Sequence, residues 1–288
     1  MIKSPPFRGI EVSVSVFLRS MGTLLLFALF FLASLAAGCA SLLLRLVFRR
    51  DRRKAELITR RLARAALRLL VRLAGLLRVF RVRAEGALPA EGVSGLVIAA
   101  NHPALTDYMV LAQILPADMA CVVSGRLLRG FMGMVISGMG YIGNDLPPEE
   151  WKGRINPSDA ILIFPEGTRS AHHGWQVSLK RGAANLSLRL GRDILPVYII
   201  CTVRGYLGTG FLSLRAPDEV PVFTVRFGKI ISPEPFLGEG VPVPLAARSL
   251  TSYLERLFAE ETGAEAAPHG TGQDINASSG GSPRESQE

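Results

Sequence analysis

Between Arg19 and Arg45 the chain carries 25 consecutive residues without a charge, most of them Leu, Ala or Phe. As a helix this run measures about 38 Å at 1.5 Å per residue, longer than the ~30 Å hydrocarbon core of a bilayer. Core helices of soluble proteins are rarely so long and so free of charge, so residues 20–44 are expected to enter a membrane. Leu35-Ala36-Ala37-Gly38-Cys39 loosely resembles a lipoprotein cleavage site, which would make the segment a removed signal. The apolar run continues to Leu44, however, and the positive charge follows it, whereas a signal peptide carries its charge ahead. Retention is the expectation.

The net charge of +9 is concentrated in one place. From Arg45 to Arg83 there are 14 basic residues against Asp51 and Glu56, a local +12 that leaves −3 for the rest. Nucleic-acid binding needs basic residues over a folded surface, with a recognition helix or stacking aromatics, and that pattern is missing. Placed directly after an apolar segment, such a run suits anionic lipid headgroups. Nine Lys or Arg lie within 20 residues after the apolar block and three before it, so the positive-inside rule puts the bulk of the chain in the cytoplasm. Cys39, Cys121 and Cys201 are far apart and lack metal-ligand spacing; Cys121 and Cys201 sit in apolar runs, as buried free thiols do. That usage fits a reducing compartment.

Five zones follow. Residues 1–19 form a leader containing Pro5 and Pro6, and 20–44 the membrane helix. Residues 45–79 read as a basic amphipathic helix in the membrane interface: Arg60, Arg64, Arg68 and Arg72 step by four and share one face, with Leu62, Leu69, Leu70, Leu73, Leu76 and Leu77 elsewhere. Packing of this helix on the next domain is compatible with that reading. Residues 80–258 alternate strand-like runs (79–84, 95–100, 119–123, 160–164, 194–201, 222–227) with helix-like runs (104–115, 127–134, 180–190, 246–258). This predicts an α/β fold with a mostly parallel sheet flanked by helices, preceded by the N-terminal membrane helix, with functional loops at strand C-terminal ends. Residues 259–288 are Gly-, Ser-, Glu- and Ala-rich and are expected to be a disordered tail.

Two strings follow apolar runs. In Asn101-His102-Pro103-Ala104-Leu105-Thr106-Asp107, a histidine and a carboxylate are the minimum for general-base chemistry. Five residues apart, they would not meet on a regular helix. Pro103 at the first helical position would make His102 the N-cap, free to fold back onto Asp107. Asp107 would then fix the imidazole tautomer, as in a Ser-His-Asp triad whose nucleophile is the substrate hydroxyl. In Phe164-Pro165-Glu166-Gly167-Thr168-Arg169-Ser170, Arg169 is suited to clamp a phosphate or charged headgroup, Gly167 to admit substrate to the backbone, and Glu166 to orient Arg169 or the acceptor. Thr168 adds a hydroxyl. Lys180 and Arg181 add positive charge nearby, as site residues or as a solvated face. His172 and His173 receive no role.

These two strings, in this order and followed by Ile194-Leu195-Pro196-Val197, resemble the motifs of the glycerolipid (lysophosphatidate-type) acyltransferase family over residues 80–235. The resemblance implies a glycerol-phosphate acyltransferase-like fold. It also implies transfer of an acyl group from acyl-CoA or acyl-carrier protein to a lysophosphatidate-like or other lysolipid hydroxyl, in phospholipid or other lipid biosynthesis. His102 would be the general base and Asp107 its partner; Glu166, Gly167 and Arg169 would bind the acceptor phosphate; Pro196 would mark the acyl-donor region. No metal or redox cofactor is implied. The expected partners are the lysolipid, the thioester donor and membrane lipids, at the cytoplasmic face of the inner membrane. One motif departs: where the family usually has Gly-x-x-Phe-Ile-x-Arg, this chain reads Gly138-Met139-Gly140-Tyr141-Ile142-Gly143-Asn144-Asp145, with no arginine and an acid near its place. The resemblance also implies, as an alternative, an acyltransferase of a specialised lipid or polyene pathway, since some members look similar in this stretch. Further alternatives are a catalytically silent lipid-binding protein of the same fold and a thioesterase with water as acceptor.

Overall fold

The computed structural model describes residues 8–115, 119–130, 132–147, 150–170, 177–207 and 216–263. Its centre is a seven-stranded sheet of β1 (Arg81–Glu85), β2 (Val97–Ala100), β3 (Ala120–Val123), β4 (Ile142–Gly143), β5 (Ile161–Ile163), β6 (Ile194–Cys201) and β7 (Val222–Phe227), in the order β1-β7-β6-β2-β5-β3-β4. All neighbours run parallel except β6 and β7. The sheet is therefore mixed: after Cys201 the chain turns back, and β1 and β7 oppose the other five strands. The six predicted strands are present; β4, two residues long, carries no pattern that reading by periodicity detects.

The central strand β2 is buried at all four positions, as expected of a parallel strand covered on both faces. Ile98 and Ala100 join Leu162, Leu195, Val197 and Phe223 against α2 (Arg52–Leu76) and α3 (Asp107–Ile114). Val97 and Ala99 join Ile161, Ile163 and Ile194 against α7 (Gly182–Leu190) and α8 (Val243–Thr262). The predicted helix over 127–134 is instead two pieces, Gly125–Arg129 and Gly133–Gly138, because Gly130 takes an extended conformation and ends the first. Helix α8 continues to Thr262, so residues 259–262 of the expected tail are helical; the remainder from residue 264, like Pro5 and Pro6, lies outside the described residues.

The N-terminal helix departs from expectation. It runs unbroken over Arg8–Val47, so residues 8–19 are helix rather than leader. One face lies along the α/β domain. Arg19 donates to Asp218 O at 2.9 Å and Ser20 Oγ accepts from Ala216 N–H at 2.9 Å. Gly22 meets Val79, Gly38 meets Met134, and Arg45 reaches Ser137 O. A Cβ on Gly138 would fall 2.4 Å from Ser41 Cβ, so the close approach to this helix requires glycine there. The opposite face, including Phe17, Leu18, Leu25, Leu32 and Leu43, is exposed.

Part of the arginine row on the following helix turns toward the domain, a packing compatible with an interfacial helix. Arg60 is buried, with Nε donating to Met139 O at 2.6 Å and Nη1 to Asp159 at 3.2 Å. Arg68 donates to Ala112 O at 3.1 Å, Arg64 is half-buried, and only Arg72 of the four is exposed. Buried carbonyls and Asp159 draw the guanidiniums in, and Leu62, Leu69 and Leu76, seven apart, are left outside at 49, 66 and 81 % exposure. Asp159 itself is buried between Arg53 and Arg60, and Arg192 donates to its carbonyl at 2.8 Å. Removing one partner of a buried pair strands the other charge, at a cost of about 3–5 kcal/mol. Asp159→Ala should therefore lower unfolding stability by that amount in detergent; a loss under about 1 kcal/mol would show that the cluster is not a structural lock.

Candidate active site

Strand register brings the two strings together. Ala99 pairs with Ile163, so His102 and Glu166, each three residues further on, leave the same edge side by side. The His102 N–H donates to Glu166 Oε1 at 2.9 Å, and the Ser170 N–H donates to His102 O at 2.9 Å. Asn101 ties the same strand end to β6, donating through Nδ2 to Ile199 O at 2.9 Å and accepting from Ile199 N–H at 2.6 Å.

His102 and Asp107 meet, by a route other than the one expected. The helix begins at Asp107 with Thr106 as N-cap, so Pro103 starts a turn and His102 is not a cap. Asp107 Oδ2 closes that turn by accepting from the Ala104 N–H at 2.8 Å, and lies 2.7 Å from His102 Nδ1. The carboxylate thus reaches back from the helix N-terminus, where backbone dipoles favour negative charge. Burial raises the Asp107 carboxyl above the usual range; the His102 bond and charge, the Ala104 N–H and the Arg169 charge oppose that shift. The imidazole stacks on Phe164 at 4.5 Å between centroids and keeps 25 % of its side chain exposed. With Nδ1 committed to Asp107, Nε2 is the nitrogen available to a hydroxyl proton.

The second string divides into holding and exposed parts. Glu166 is 3 % exposed, and its Oε1 accepts from His102 N–H and from Ser170 Oγ at 3.0 Å. Burial raises its carboxyl, against the pull of the two donors and the His102 charge. Gly167 and Thr168 are exposed and Arg169 is half-buried. Gly167 has φ +73°, and a Cβ there would meet the Lys180 stem at 2.8 Å, so glycine both makes the turn and lets Lys180 cross it. The Lys180 N–H donates to Pro165 O at 2.7 Å, fixing the two segments together. Lys180 and Arg169 thereby flank one turn. Arg181 is exposed at the N-cap of α7.

Pro196 is not brought to this edge. It is buried within β6 in register with Ala99, three residues before His102. It sits between the Val197–Phe227 and Ile194–Ile231 antiparallel contacts, where a strand tolerates a missing N–H. Asp145 follows β4, its carboxylate close over Gly125 and Gly143, where a Cβ would fall 2.2 and 2.3 Å from its oxygens. It accepts from Arg129 Nη1 at 3.3 Å, both side chains being exposed. Sequence reading gave no role to Asn101, Ser170 or Arg129; nothing local signals partners that register and turns supply. His172 and His173 lie outside the described residues. Burial pushes the Cys121 thiol to about 12 and the Cys201 thiol to about 11, which keeps both protonated, while Cys39 is exposed. Among the described residues no cluster of three or more His, Cys, Asp or Glu has the arrangement of a metal site.

Residues 80–200 match the family described as Acyltransferase. Among solved structures the chain is similar to the 1-acyl-sn-glycerophosphate (LPA) acyltransferase PlsC from Thermotoga maritima. The TM-score is 0.58 at 20 % identity, over 85 % of this chain and 97 % of that one. At that identity the likeness is one of fold. Both strings and the strands β2 to β5 that present them lie inside residues 80–200, which match the acyltransferase family, and the fold is that of the lysophosphatidate-type neighbour.

Proposed function

We propose that this acyltransferase moves an acyl group from an acyl-CoA or acyl-carrier-protein thioester to the hydroxyl of a lysophosphatidate-like or other lysolipid, with His102 as general base. The observation that carries this reading is the 2.7 Å contact between His102 Nδ1 and fully buried Asp107, beside the cations of Arg169 and Lys180. His102 Nε2 takes the acceptor proton as the hydroxyl oxygen attacks the thioester carbonyl. Asp107 stabilises the imidazolium. The tetrahedral intermediate collapses with loss of the thiolate, which takes the proton back from Nε2. Arg169 and Lys180 hold the anionic headgroup through charge-assisted bonds.

A general base contributes about 10²–10⁴-fold. His102→Ala should lower turnover by that factor with the fold intact, and Asp107→Asn should also impair it by disturbing the tautomer. Wild-type turnover by folded His102→Ala would sink the assignment.

The acceptor reading turns on Asp145. With no arginine in this motif and an acid next to its place, paired to Arg129, a less anionic acceptor than lysophosphatidate fits this corner better, such as a lysophosphodiester or an amino-acid lipid. Asp145→Arg should then shift kcat/KM toward lysophosphatidate by about tenfold or more, as a charge-assisted bond contributes about 1.5–3 kcal/mol. If the wild-type enzyme already prefers lysophosphatidate over every less charged lysolipid, the substitution in this motif has no bearing on specificity.

The apolar outer faces of the first two helices support membrane attachment, and the excess of Lys and Arg after the apolar segment supports the cytoplasmic side. A helix that packs one face on the catalytic domain from Arg19 to Arg45 suits insertion into one leaflet better than a free crossing. In a variant lacking Cys39, a thiol placed by Ser13→Cys should then react with an impermeant maleimide only from the side carrying the catalytic domain. Labelling from the opposite side of sealed vesicles would establish a spanning helix instead.

A further inference from the structure

Three bonds close a ring around the His102 backbone. Its N–H donates to Glu166 Oε1, its carbonyl accepts from the Ser170 N–H, and Ser170 Oγ donates to that same Glu166 oxygen, at 2.9, 2.9 and 3.0 Å. Glu166 is 3 % exposed, and its Oε1 is spent on the peptide that carries the imidazole and on Ser170, while Oε2 is buried without a hydrogen-bond partner. A buried carboxylate would also repel a phosphate, and Arg169 and Lys180 on the exposed side of the turn serve an anion without it.

We infer that Glu166 and Ser170 are positioning residues that set the height of His102 above the sheet edge. The inference rests on the reading of His102 as the base. Asp107 fixes the rotation of the imidazole through Nδ1, but where Nε2 stands relative to the thioester follows from the backbone. A displacement of about 1 Å in such a group costs about 10²-fold in rate. Ser170 has no part in the acceptor-binding assignment read from the motif, so its variant separates the two roles cleanly.

The test uses lysophosphatidate and palmitoyl-CoA as probes, with full-length Glu166→Ala, Glu166→Gln, Ser170→Ala and His102→Ala. Positioning predicts a fall in kcat, about 10²-fold for Glu166→Ala and smaller for Ser170→Ala, with acceptor KM within about threefold of wild type. Glu166→Gln keeps an oxygen for the His102 N–H and should recover most of kcat. A raised acceptor KM with kcat retained, or Glu166→Gln as impaired as Glu166→Ala, overturns the inference. A readout independent of turnover is the downfield Nδ1 proton of His102, assigned by its loss in His102→Ala. It should persist in Glu166→Gln and shift or broaden in Ser170→Ala; an unmoved resonance in Ser170→Ala overturns the inference. Ser170→Ala and Glu166→Gln carry the test if Glu166→Ala fails to fold. Full activity in His102→Ala would remove the base reading itself. An inactive His102→Ala with only KM altered in the Glu166 and Ser170 variants would remove this inference alone.

Discussion

The parallel pairing of β2 with β5 is the constraint on which the site depends. Parallel neighbours end at the same edge, and the Ala99–Ile163 register makes the two strings leave it in step. A slip of one residue would carry His102 away from Glu166 and turn every side chain of the strand to the other face. That slip is opposed from both sides of the sheet, because Val97, Ile98, Ala99 and Ala100 are all buried. The hydrophobic core thus does more than stabilise the domain: it sets the distance between the two motifs.

Charge burial is handled in two distinct ways. At the active edge, Asp107 and Glu166 are carboxylates held in burial that raises both, and each commits one oxygen, Asp107 Oδ2 to the Ala104 N–H and the imidazole and Glu166 Oε1 to the His102 N–H and Ser170. Away from that edge, Asp159 joins Arg53 and Arg60 and anchors the second helix to the domain. In both places, one loop or helix is fixed to another by a group that would be costly to leave unpaired. The arginine row that turns inward also leaves leucines outward, so the electrostatics of the anchor decide which surface is apolar.

The α/β class, most strand positions and the pair of motifs were legible because they rest on local chemistry: continuous apolar runs, glycine and proline punctuation, and residue types in a fixed order. Strands 194–201 and 222–227 match β6 and β7 end for end. The helix over 127–134 and the N-cap role of His102 were misread because a glycine break and a side-chain-closed turn depend on contacts beyond the segment. The partners of Arg60 and Arg68 were not legible for a related reason. A four-residue step shows that side chains share a face, but not whether that face meets water, lipid or a buried aspartate.

By itself, then, the sequence determined which chemistry is possible. A histidine and an aspartate in one short string, an arginine-bearing turn in another, and a long uncharged helix are covalent facts that no packing can alter. Tertiary structure alone decided the division of labour. Register placed Glu166 under the His102 peptide, a turn closed by Asp107 delivered that carboxylate to Nδ1, and Pro196 stayed inside the sheet. Asp145 met an arginine sixteen residues back in the chain. The physical reason is that a side chain's role follows from its partners and its exposure to water, and both are set by segments that are distant in sequence and joined only when the core forms.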